Sequence, residues 1–455
     1  MGTLPALPCV PGAVPVLGHA LALLRRPLEF LRDLPAHGDV VQIRLGPARA
    51  VVVCTAELTQ QVLLDDRTFD KGGLLYDRTR EVIGASLAAS LHPQHRRKRR
   101  LVQPAFHPDR THGYAQIMTT RITELRDSWH DGQTIDVRAE ALGLTSRILM
   151  AAMFASTLPA PALERALEEM NTISHGLLRQ TITPPALNRL PTPANRRYRQ
   201  AQRTLRAILD TAITGHTPTG GGTDLLSVLL AQGTCEHPAK DALTTDEVCD
   251  ELVTFFIAGT ETTGLTVAWA LHLLARHPAI ASRLHAEVDT VLAGGAAHHH
   301  HLPDLPLTQQ VITETLRLYP PGWLFTRCAT TDTHLAGHPV PAGTSVIYSP
   351  YLVHHLASQY PDPERFDPDR WADPRCPPPR GAYIPFGGGG RKCVGDQFGI
   401  TEAVLALATL TARWHFTPAP CHQPRPRTHL MLYPDDLHLK VTTRAAITTS
   451  RSEPE

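Results

Sequence analysis

The sequence has no run of 18 or more apolar residues, so we expect no membrane-spanning helix. Its N-terminus lacks the charged-then-apolar order of a signal peptide, so we expect a soluble protein. Basic and acidic side chains nearly balance, and the formal net charge is +1. A chain so close to neutrality shows no electrostatic sign of nucleic-acid binding.

The 8 cysteines are scattered, and no two of them form a CxxC pair. This spacing argues against a disulfide framework and against a zinc site. It fits a reducing compartment, so we expect a cytoplasmic protein. Among the cysteines, only Cys393 lies in a distinctive sequence setting.

The chain of 455 residues is long for a single hydrophobic core, yet no internal repeat divides it. Helical patterns dominate and short β-like pieces are a minor part, so the predicted fold class is mainly α with minor β (α+β). We expect one domain over residues 1–455. Prolines make residues 1–18 an extended lead-in, and residues 443–455 are expected to form a flexible tail.

Local signals place the main elements. Apolar or alternating runs at 39–45 and 50–54 flank Gly46-Pro47 and predict a hairpin. Thr245 and the two acidic residues after it predict the start of a long helix that runs to about Leu274. Further predictions are helices over 27–37, 279–292, 307–318 and, with proline breaks, 109–210, and a hairpin over 430–441.

The most specific stretch is 386–395, FGGGGRKCVG, in which a glycine run precedes one arginine and one cysteine. An apolar, alanine-rich run from Ile400 to Trp414 predicts a helix that begins soon after Cys393. A cysteine at a helix N-terminus has its thiolate favoured by the dipole and by free N–H groups, so we expect a low thiol pKa. The glycines let the backbone bend and a flat molecule approach. The alternative is a glycine-rich turn with a buried cysteine.

The middle of the long helix carries polar and small residues, AGTETT at 258–263. Spacings of three and four put Gly259, Thr262 and Thr266 on the same face as Leu252 and Phe255. This face suggests a groove for a diatomic molecule beside a hydroxyl, and Thr262 can bend the helix by bonding to an earlier carbonyl. Glu261 can supply protons through water. The alternative is a glycine that serves helix packing.

Both patterns resemble the cytochrome P450 family: F-x-x-G-x-R-x-C-x-G at 386–395, and small-Gly-x-acid-Thr at 258–262. The motifs follow family order over roughly residues 10–440. The resemblance implies the P450 fold, with haem b between the long central helix and the cysteine loop. It implies that the Cys393 thiolate binds the iron, and that Phe386, Gly395 and Gly259 lie at the cofactor.

The resemblance also implies the reaction. Family members insert one atom of O2 into a C–H bond, and Glu261 and Thr262 take the place of the proton-delivering pair. No flavin domain is fused to the chain, so electrons from NAD(P)H are expected through a ferredoxin and a ferredoxin reductase. We expect a monomer.

Charged positions match the family as well. Glu314 and Arg317 form the Glu-x-x-Arg pair, and Arg370 is the arginine expected to complete a structural network behind the haem pocket. The residues matching the family's haem-propionate ligands are His95, Arg99, Arg327 and Arg391. This chain departs from relatives in the stretch 91–93, LHP, where an acidic-Gly pair is common.

The stretches expected to cover the haem are rich in apolar side chains, which suits an apolar substrate held by shape. Tracts at 11–19, 37–41, 316–323 and 348–351 resemble actinomycete P450s that oxidise cyclic terpenes. The substrate is therefore expected to be a cyclic terpene of secondary metabolism. The predicted pocket residues are Leu252, Phe255, Phe256, Trp323, Phe325 and Leu430.

Two alternatives are a fatty-acid hydroxylase or peroxygenase and a non-catalytic haem-thiolate sensor. Peroxygenase relatives carry Arg-Pro where this chain has Glu261-Thr262, and a sensor does not need that pair. The run His298–His301 is either a metal ligand set or a solvated loop, and the sequence leaves its role open.

Overall fold

The computed structural model describes residues 7–84, 86–154, 158–183, 185–215, 224–231, 243–373, 375 and 377–444. Sixteen α-helices lie in these residues, and short 3-10 turns at Leu34–His37, Gln103–Phe106, His299–Asp304, Pro368–Trp371 and Gly389–Arg391 join some of them. The helices are α1 Ala20–Arg25, α2 Pro27–Asp33, α3 Ala56–Leu64, α4 Gly73–Ile83, α5 His92–Val102, α6 Pro108–Ser128, α7 Val137–Phe154, α8 Ala160–Ile182, α9 Pro185–Arg189, α10 Pro193–Thr214, α11 Leu225–Ala231, α12 Thr245–Arg276, α13 Pro278–Leu292, α14 Pro306–Leu318, α15 Pro350–His354 and α16 Asp396–Arg413.

The described strands are short and form four small sheets. A five-stranded sheet has the order β1-β2-β8-β5-β3, a three-stranded sheet the order β4-β12-β9, and β6-β7 and β10-β11 are two-stranded. The strands are β1 Val40–Leu45, β2 Ala48–Val53, β3 Phe69–Asp70, β4 Thr134–Asp136, β5 Phe325–Ala329, β6 Thr333–Leu335, β7 His338–Val340, β8 Ser345–Tyr348, β9 Trp414–Pro418, β10 Pro426–Thr428, β11 Leu432–Pro434 and β12 His438–Thr443.

Helix α12 runs through the core and begins where the sequence predicts. The Thr244 hydroxyl accepts the Glu247 N–H at 3.2 Å, and the Glu247 carboxylate accepts the Thr244 N–H at 3.0 Å. This reciprocal capping satisfies two otherwise unpaired donors. The helix ends at Arg276, before Pro278, and most of its side chains are buried against α7, α14 and α16.

Two predicted hairpins have different outcomes. Strands β1 and β2 pair antiparallel about Gly46-Pro47, with Val41 opposite Val52, which confirms the first. The hairpin predicted over 430–441 is wrong in its pairing. Strand β11 pairs back to β10, whereas β12 pairs with β9 and β4.

The chain ends are held in part. In the predicted lead-in, Val10 donates its N–H to the Gln42 carbonyl at 3.1 Å, which ties this segment to β1. In the predicted tail, Thr443 ends β12 and Arg444 forms an ion pair with Asp289. Residues 1–6 and 445–455 lie outside the described residues.

Candidate active site

The cysteine loop bends back on itself just before α16. Gly387 and Gly389 have φ values of 68° and 64°, a region that side chains with a Cβ avoid. A Cβ on Gly389 would lie 2.3 Å from the Leu63 carbonyl oxygen of α3, so only glycine fits there. The Cys393 N–H donates to the Phe386 carbonyl at 2.9 Å and closes the loop.

The expected low pKa of the Cys393 thiol is wrong for the protein chain alone. Although the Cys393 side chain has accessible surface, desolvation by the surrounding protein raises this pKa, and the nearby Asp396 carboxylate adds to the effect. The Gly395 N–H and the cations Arg99 and Lys392 oppose it. A bound metal ion deprotonates a coordinating thiol outright, so these three groups would then stabilise the thiolate.

Arg391 is buried and has three partners. Its guanidinium donates to Asp66 at 3.1 Å, to the Ser90 carbonyl at 2.6 Å and to Asp70. The two aspartates were not predicted from the sequence. They precede and end the short β3, more than 300 residues from Arg391, and no local pattern marks them.

Further cations gather around Arg391. His95 and Arg327 are buried, Arg99 donates to the Lys392 carbonyl, and Lys71 donates to the Ala88 carbonyl at 2.7 Å. Burial, followed by Arg391, Lys71 and Arg99, lowers the pKa of His95 to about 3. Burial, followed by Arg327 and Arg391, holds the pKa of Lys71 well below its usual range. Positive charge is therefore in excess here.

These observations fit a haem. The Arg327 Nε atom is buried without a hydrogen-bond partner, although its Nη1 lies 3.5 Å from the Tyr76 hydroxyl. Two carboxylates would relieve the mutual repulsion of these cations and give Arg327 an acceptor. Haem carries two such propionates, and its thiolate-ligated form needs the glycine-rich approach to Cys393.

The middle of α12 has one accessible side. Ala258 is exposed, and Gly259, Glu261 and Thr262 are half-buried, in a helix that is otherwise largely enclosed. The Thr262 hydroxyl donates to the Ala258 carbonyl at 2.6 Å, the back-bond expected from the sequence. This bond holds the hydroxyl beside the exposed small residue.

Gly259 packs closely against a neighbouring helix, and its place at the cofactor stays a prediction. A Cβ on Gly259 would lie 2.9 Å from a Leu149 methyl of α7. The absence of a side chain therefore lets α7 and α12 approach closely. This contact agrees with the alternative that the glycine serves helix packing. The small side chain on the accessible side is that of Ala258.

Glu261 carries a carboxylate with a raised pKa. Burial is the main cause, and His175 and Arg138 oppose it. The structure shows no hydrogen bond or ion pair for this carboxylate among the described residues. A carboxyl group whose pKa lies nearer neutrality exchanges protons more readily at physiological pH.

Three predicted pocket residues, all on one part of α12, are buried. Leu252 and Phe256 are at most 1% exposed, and Phe255 is 7% exposed. The Phe255 ring packs edge-on against Phe106 at 5.0 Å, and Phe106 lies beside Gly395. This turn of α12 therefore packs beside the cysteine loop, and its place in the substrate pocket stays a prediction.

The other three predicted pocket residues lie just before β5, at its first residue, and in the turn between β10 and β11. Trp323 is 9% exposed and donates its indole N–H to the His429 carbonyl at 3.3 Å. Phe325 is half-buried and stacks on Tyr348 at 5.4 Å. Leu430 is 37% exposed. Phe325 and Leu430 keep apolar surface that a substrate can contact.

The predicted charge network is present and buried. Glu314 accepts two hydrogen bonds from Arg317, each 2.8 Å long, and one from the Trp371 indole at 2.9 Å. The Asp367 N–H adds a fourth at 3.1 Å, and Arg370 lies 3.4 Å away. Arg317 donates further to the carbonyls of His354, Pro363 and Arg365. The network thus joins α14 to the segment that leads to the cysteine loop.

Glu314→Ala is expected to destabilise the protein by about 3–5 kcal/mol, because it leaves Arg317 charged and buried without its partner. Urea unfolding of the haem-loaded protein measures this. The matched control is Glu124→Ala, which removes an exposed partner at the same i,i+3 spacing, from Arg121, and should cost less than about 1 kcal/mol. Equal losses in both variants would refute the structural role of the network.

A buried link between α5 and α12 was missed from the sequence. Lys98 is 2% exposed and lies 3.1 Å from Glu247 and 4.0 Å from Glu251. Glu251 also accepts the Leu87 N–H at 2.7 Å. Burial raises the pKa of Glu251 to about 7, although Lys98 and the Leu87 N–H oppose it.

This pKa predicts a pH effect on stability. The folded protein holds the Glu251 proton up to about pH 7, whereas its ordinary pKa is 4.5. Its stabilisation is therefore fully present below pH 4.5 and is lost as the pH rises through 7. The difference between these two pKa values corresponds to about 3 kcal/mol in the free energy of unfolding. Buried neutral histidines oppose it, so the test compares urea unfolding of the parent and of Glu251→Gln at several pH values. The difference between the two proteins should change over this range; a constant difference would contradict the assignment.

Comparisons with known proteins agree with this geometry. The family model described as Cytochrome P450 matches residues 8–441. The chain is 43% identical over 414 residues to cyclooctat-9-en-7-ol 5-monooxygenase from Streptomyces melanosporofaciens, covering 90% of this chain and 89% of the relative. It is 43% identical over 437 residues to pentalenene oxygenase from Streptomyces avermitilis, covering 95% and 97%. The crystal structure of the cytochrome P450DA heme domain matches with a TM-score of 0.85 at 25% identity, covering 97% of this chain and 99% of that one.

The fold and the family match define a haem-thiolate oxygenase. The chain belongs to the cytochrome P450 family, and it is a monooxygenase that uses haem iron and O2. The predicted fold class is confirmed. No described helix combines the length and apolar character needed to span a membrane.

Proposed function

We propose that this monooxygenase inserts one oxygen atom into a C–H bond of a cyclic terpene in secondary metabolism. The observation that carries the substrate class is the 43% identity, over nine-tenths of the chain, to two Streptomyces enzymes named for cyclooctat-9-en-7-ol and pentalenene. Cyclooctatin synthase, also from Streptomyces melanosporofaciens, is 41% identical over 426 residues. The apolar surface of Phe325 and Leu430 suits such a substrate.

The chain's own residues divide the work. When bound, the haem supplies O2 activation at its iron, with Cys393 as the thiolate ligand. Arg99, Arg327 and Arg391 would hold its two carboxylates by charge, and the neutral His95 would hold them by donating a ring N–H. Because Arg391 is tied to Asp66 and Asp70, the cation is fixed before the cofactor arrives, which lowers the entropy cost of binding.

Proton supply falls to Glu261 and Thr262. The Thr262 hydroxyl donates to the Ala258 carbonyl, which leaves its oxygen free to accept a hydrogen bond. A proton can therefore pass through this hydroxyl to the accessible side of α12. Burial raises the pKa of Glu261, the residue before Thr262, so this carboxyl keeps its proton to a higher pH than an exposed glutamate does. Together they are proposed to deliver the protons that the reaction consumes.

The proposed electron source is NAD(P)H, through a ferredoxin reductase and a ferredoxin. Supporting this, Arg96 and Arg100 are exposed on α5 and border a surface cavity of about 690 Å³ that is also lined by Arg97 and Arg99. A basic surface close to the Cys393 loop suits an acidic electron carrier. The cysteines among the described residues are free, which supports a cytoplasmic location. We propose that the enzyme works as a monomer.

Substrate class is tested by optical titration of the purified ferric enzyme with cyclic sesquiterpenes, cyclic diterpenes and fatty acids. Because a bound substrate displaces water from the iron, we expect a saturable low-spin to high-spin change with at least one cyclic terpene. A matched Leu430→Asp variant should weaken that change, because it places a charge on the proposed apolar surface. A change with fatty acids alone would overturn the terpene proposal and favour a fatty-acid hydroxylase.

A further inference from the structure

Three metal-ligating side chains meet at the start of β12, outside the haem region. His422 lies between β9 and β10, Asp436 precedes β12, and His438 is its first residue. One ligand atom from each lies within 4.8 Å of the others. In the part of the chain that the structure describes, this is the one such group of three His, Cys, Asp or Glu side chains.

The backbone around the cluster is fixed by its neighbours. Strand β12 pairs with β9, and the His438 carbonyl accepts the Ala419 N–H at 3.2 Å. The carboxylate of Asp435, the residue before Asp436, accepts hydrogen bonds from the Arg425 N–H and the Arg427 side chain. The carboxylate of Asp436 is therefore left to the two histidines.

Hydrogen bonding does not satisfy all three groups. The Nδ1 atoms of His422 and His438 lie 2.8 and 3.3 Å from the same Asp436 oxygen. The His438 Nδ1 is buried and has no hydrogen-bond partner. The centroids of the two imidazole rings are only 4.1 Å apart, and both rings face the same carboxylate.

We propose that His422, Asp436 and His438 bind a divalent transition-metal ion of the zinc class. Two imidazole nitrogens and one carboxylate oxygen form a ligand set that suits Zn²⁺, with water as a fourth ligand. Metal–ligand distances of about 2.0–2.2 Å require ligand atoms roughly 3.3 Å apart, so small side-chain rotations are sufficient. One cation would then satisfy the buried Nδ1 of His438 and the shared carboxylate.

The ion would fasten the base of the β10–β11 hairpin. At the other end of this hairpin, Leu432 donates its N–H to the Pro321 carbonyl at 2.9 Å and accepts the Trp269 indole N–H of α12 at 3.4 Å. The hairpin also carries Leu430. The metal thereby stabilises a segment that is anchored on the central helix.

The histidine run His298–His301 provides the matched control. Its four histidines are consecutive, but the His298 N–H donates to the His301 Nδ1 at 3.1 Å, and His299 packs on His112. The rings of His298, His300 and His301 pack on one another, but in the described residues this run does not bring three ligand atoms within 4.8 Å of one another. A metal that merely seeks histidines on the surface would prefer this run.

The test uses the full-length, haem-loaded enzyme made without a polyhistidine tag and stripped with EDTA. Calorimetric titration with Zn²⁺ is expected to show one saturable site, and the melting temperature should rise by about 3 °C at 100-fold excess over the dissociation constant. His422→Gln, His438→Gln and the isosteric Asp436→Asn should each weaken binding by about tenfold or more. His300→Gln should bind as the parent does, and the haem spectrum verifies that each variant is folded.

Absence of one-to-one binding in the parent would overturn the proposal. So would binding that survives in His438→Gln and Asp436→Asn but is lost in His300→Gln, because the ion would then occupy the histidine run.

Discussion

Cys393→Ala is expected to abolish thiolate ligation and oxygenation together. The substitution removes the sulfur but keeps the hydrogen bond from the residue 393 N–H to the Phe386 carbonyl, so the loop backbone should be unchanged. The reduced carbon monoxide complex should lose the red-shifted Soret band that a thiolate ligand produces, and turnover should fall to the detection limit. Cys393→Ser nearly keeps the volume of the side chain, and its reduced carbon monoxide complex should lack the red-shifted Soret band as well.

The control is Cys9→Ala, which removes an exposed thiol far along the sequence from the site. It should retain both the parent spectrum and the parent activity. A thiolate-type spectrum that persists in Cys393→Ala would refute the ligand assignment.

Thr262→Ala is expected to separate electron consumption from product formation. The substitution removes the hydroxyl that bonds the Ala258 carbonyl, and general acid–base groups typically contribute about 10²–10⁴-fold to a rate. Product formation should fall by about 10²-fold while NAD(P)H is still oxidised and hydrogen peroxide accumulates. Product, NAD(P)H and peroxide are measured in the same reaction.

Helix α12 offers a matched control one turn further on. The Thr266 hydroxyl donates to the Thr262 carbonyl at 2.8 Å, the same back-bond, but the side chain is only 4% exposed. Thr266→Ala should leave the ratio of product to NAD(P)H near that of the parent. If both variants release peroxide equally, the effect comes from helix geometry, and if neither does, Thr262 does not deliver protons.

Elements with local signals were predictable. The start of α12 depends on Thr244 and Glu247, which are three residues apart, and its end on the Pro278 step. The β1–β2 hairpin likewise depends on one turn. Such short-range chemistry can be seen in a single sequence because all the interacting groups lie within a few residues.

The C-terminal pairing and the counterions of Arg391 were not predictable in this way. Strand β12 pairs with β4, some 300 residues earlier, rather than with its neighbour β11. Asp66 and Asp70 are ordinary acids in the sequence, and only the fold brings them to Arg391. Partners set by tertiary contact leave no periodic or spacing signal.

Residues of α12 show where side-chain direction matters. Helical spacing put Gly259, Phe255 and Thr262 on one face, and in the structure Gly259 lies against α7, Phe255 against Phe106, and Thr262 is partly accessible. The proton-delivery role of Thr262 stays a prediction. Spacing along a helix gives relative direction, and only the neighbouring helices tell which direction is open.

The most direct test of the proposed activity is turnover of a cyclic terpene under ¹⁸O2, with ferredoxin, ferredoxin reductase and NAD(P)H supplied. We predict a hydroxylated product with one ¹⁸O atom for each new oxygen, formed by the parent enzyme and not by Cys393→Ala. Product oxygen that comes from water, or labelled fatty-acid products with no terpene product, would contradict the account.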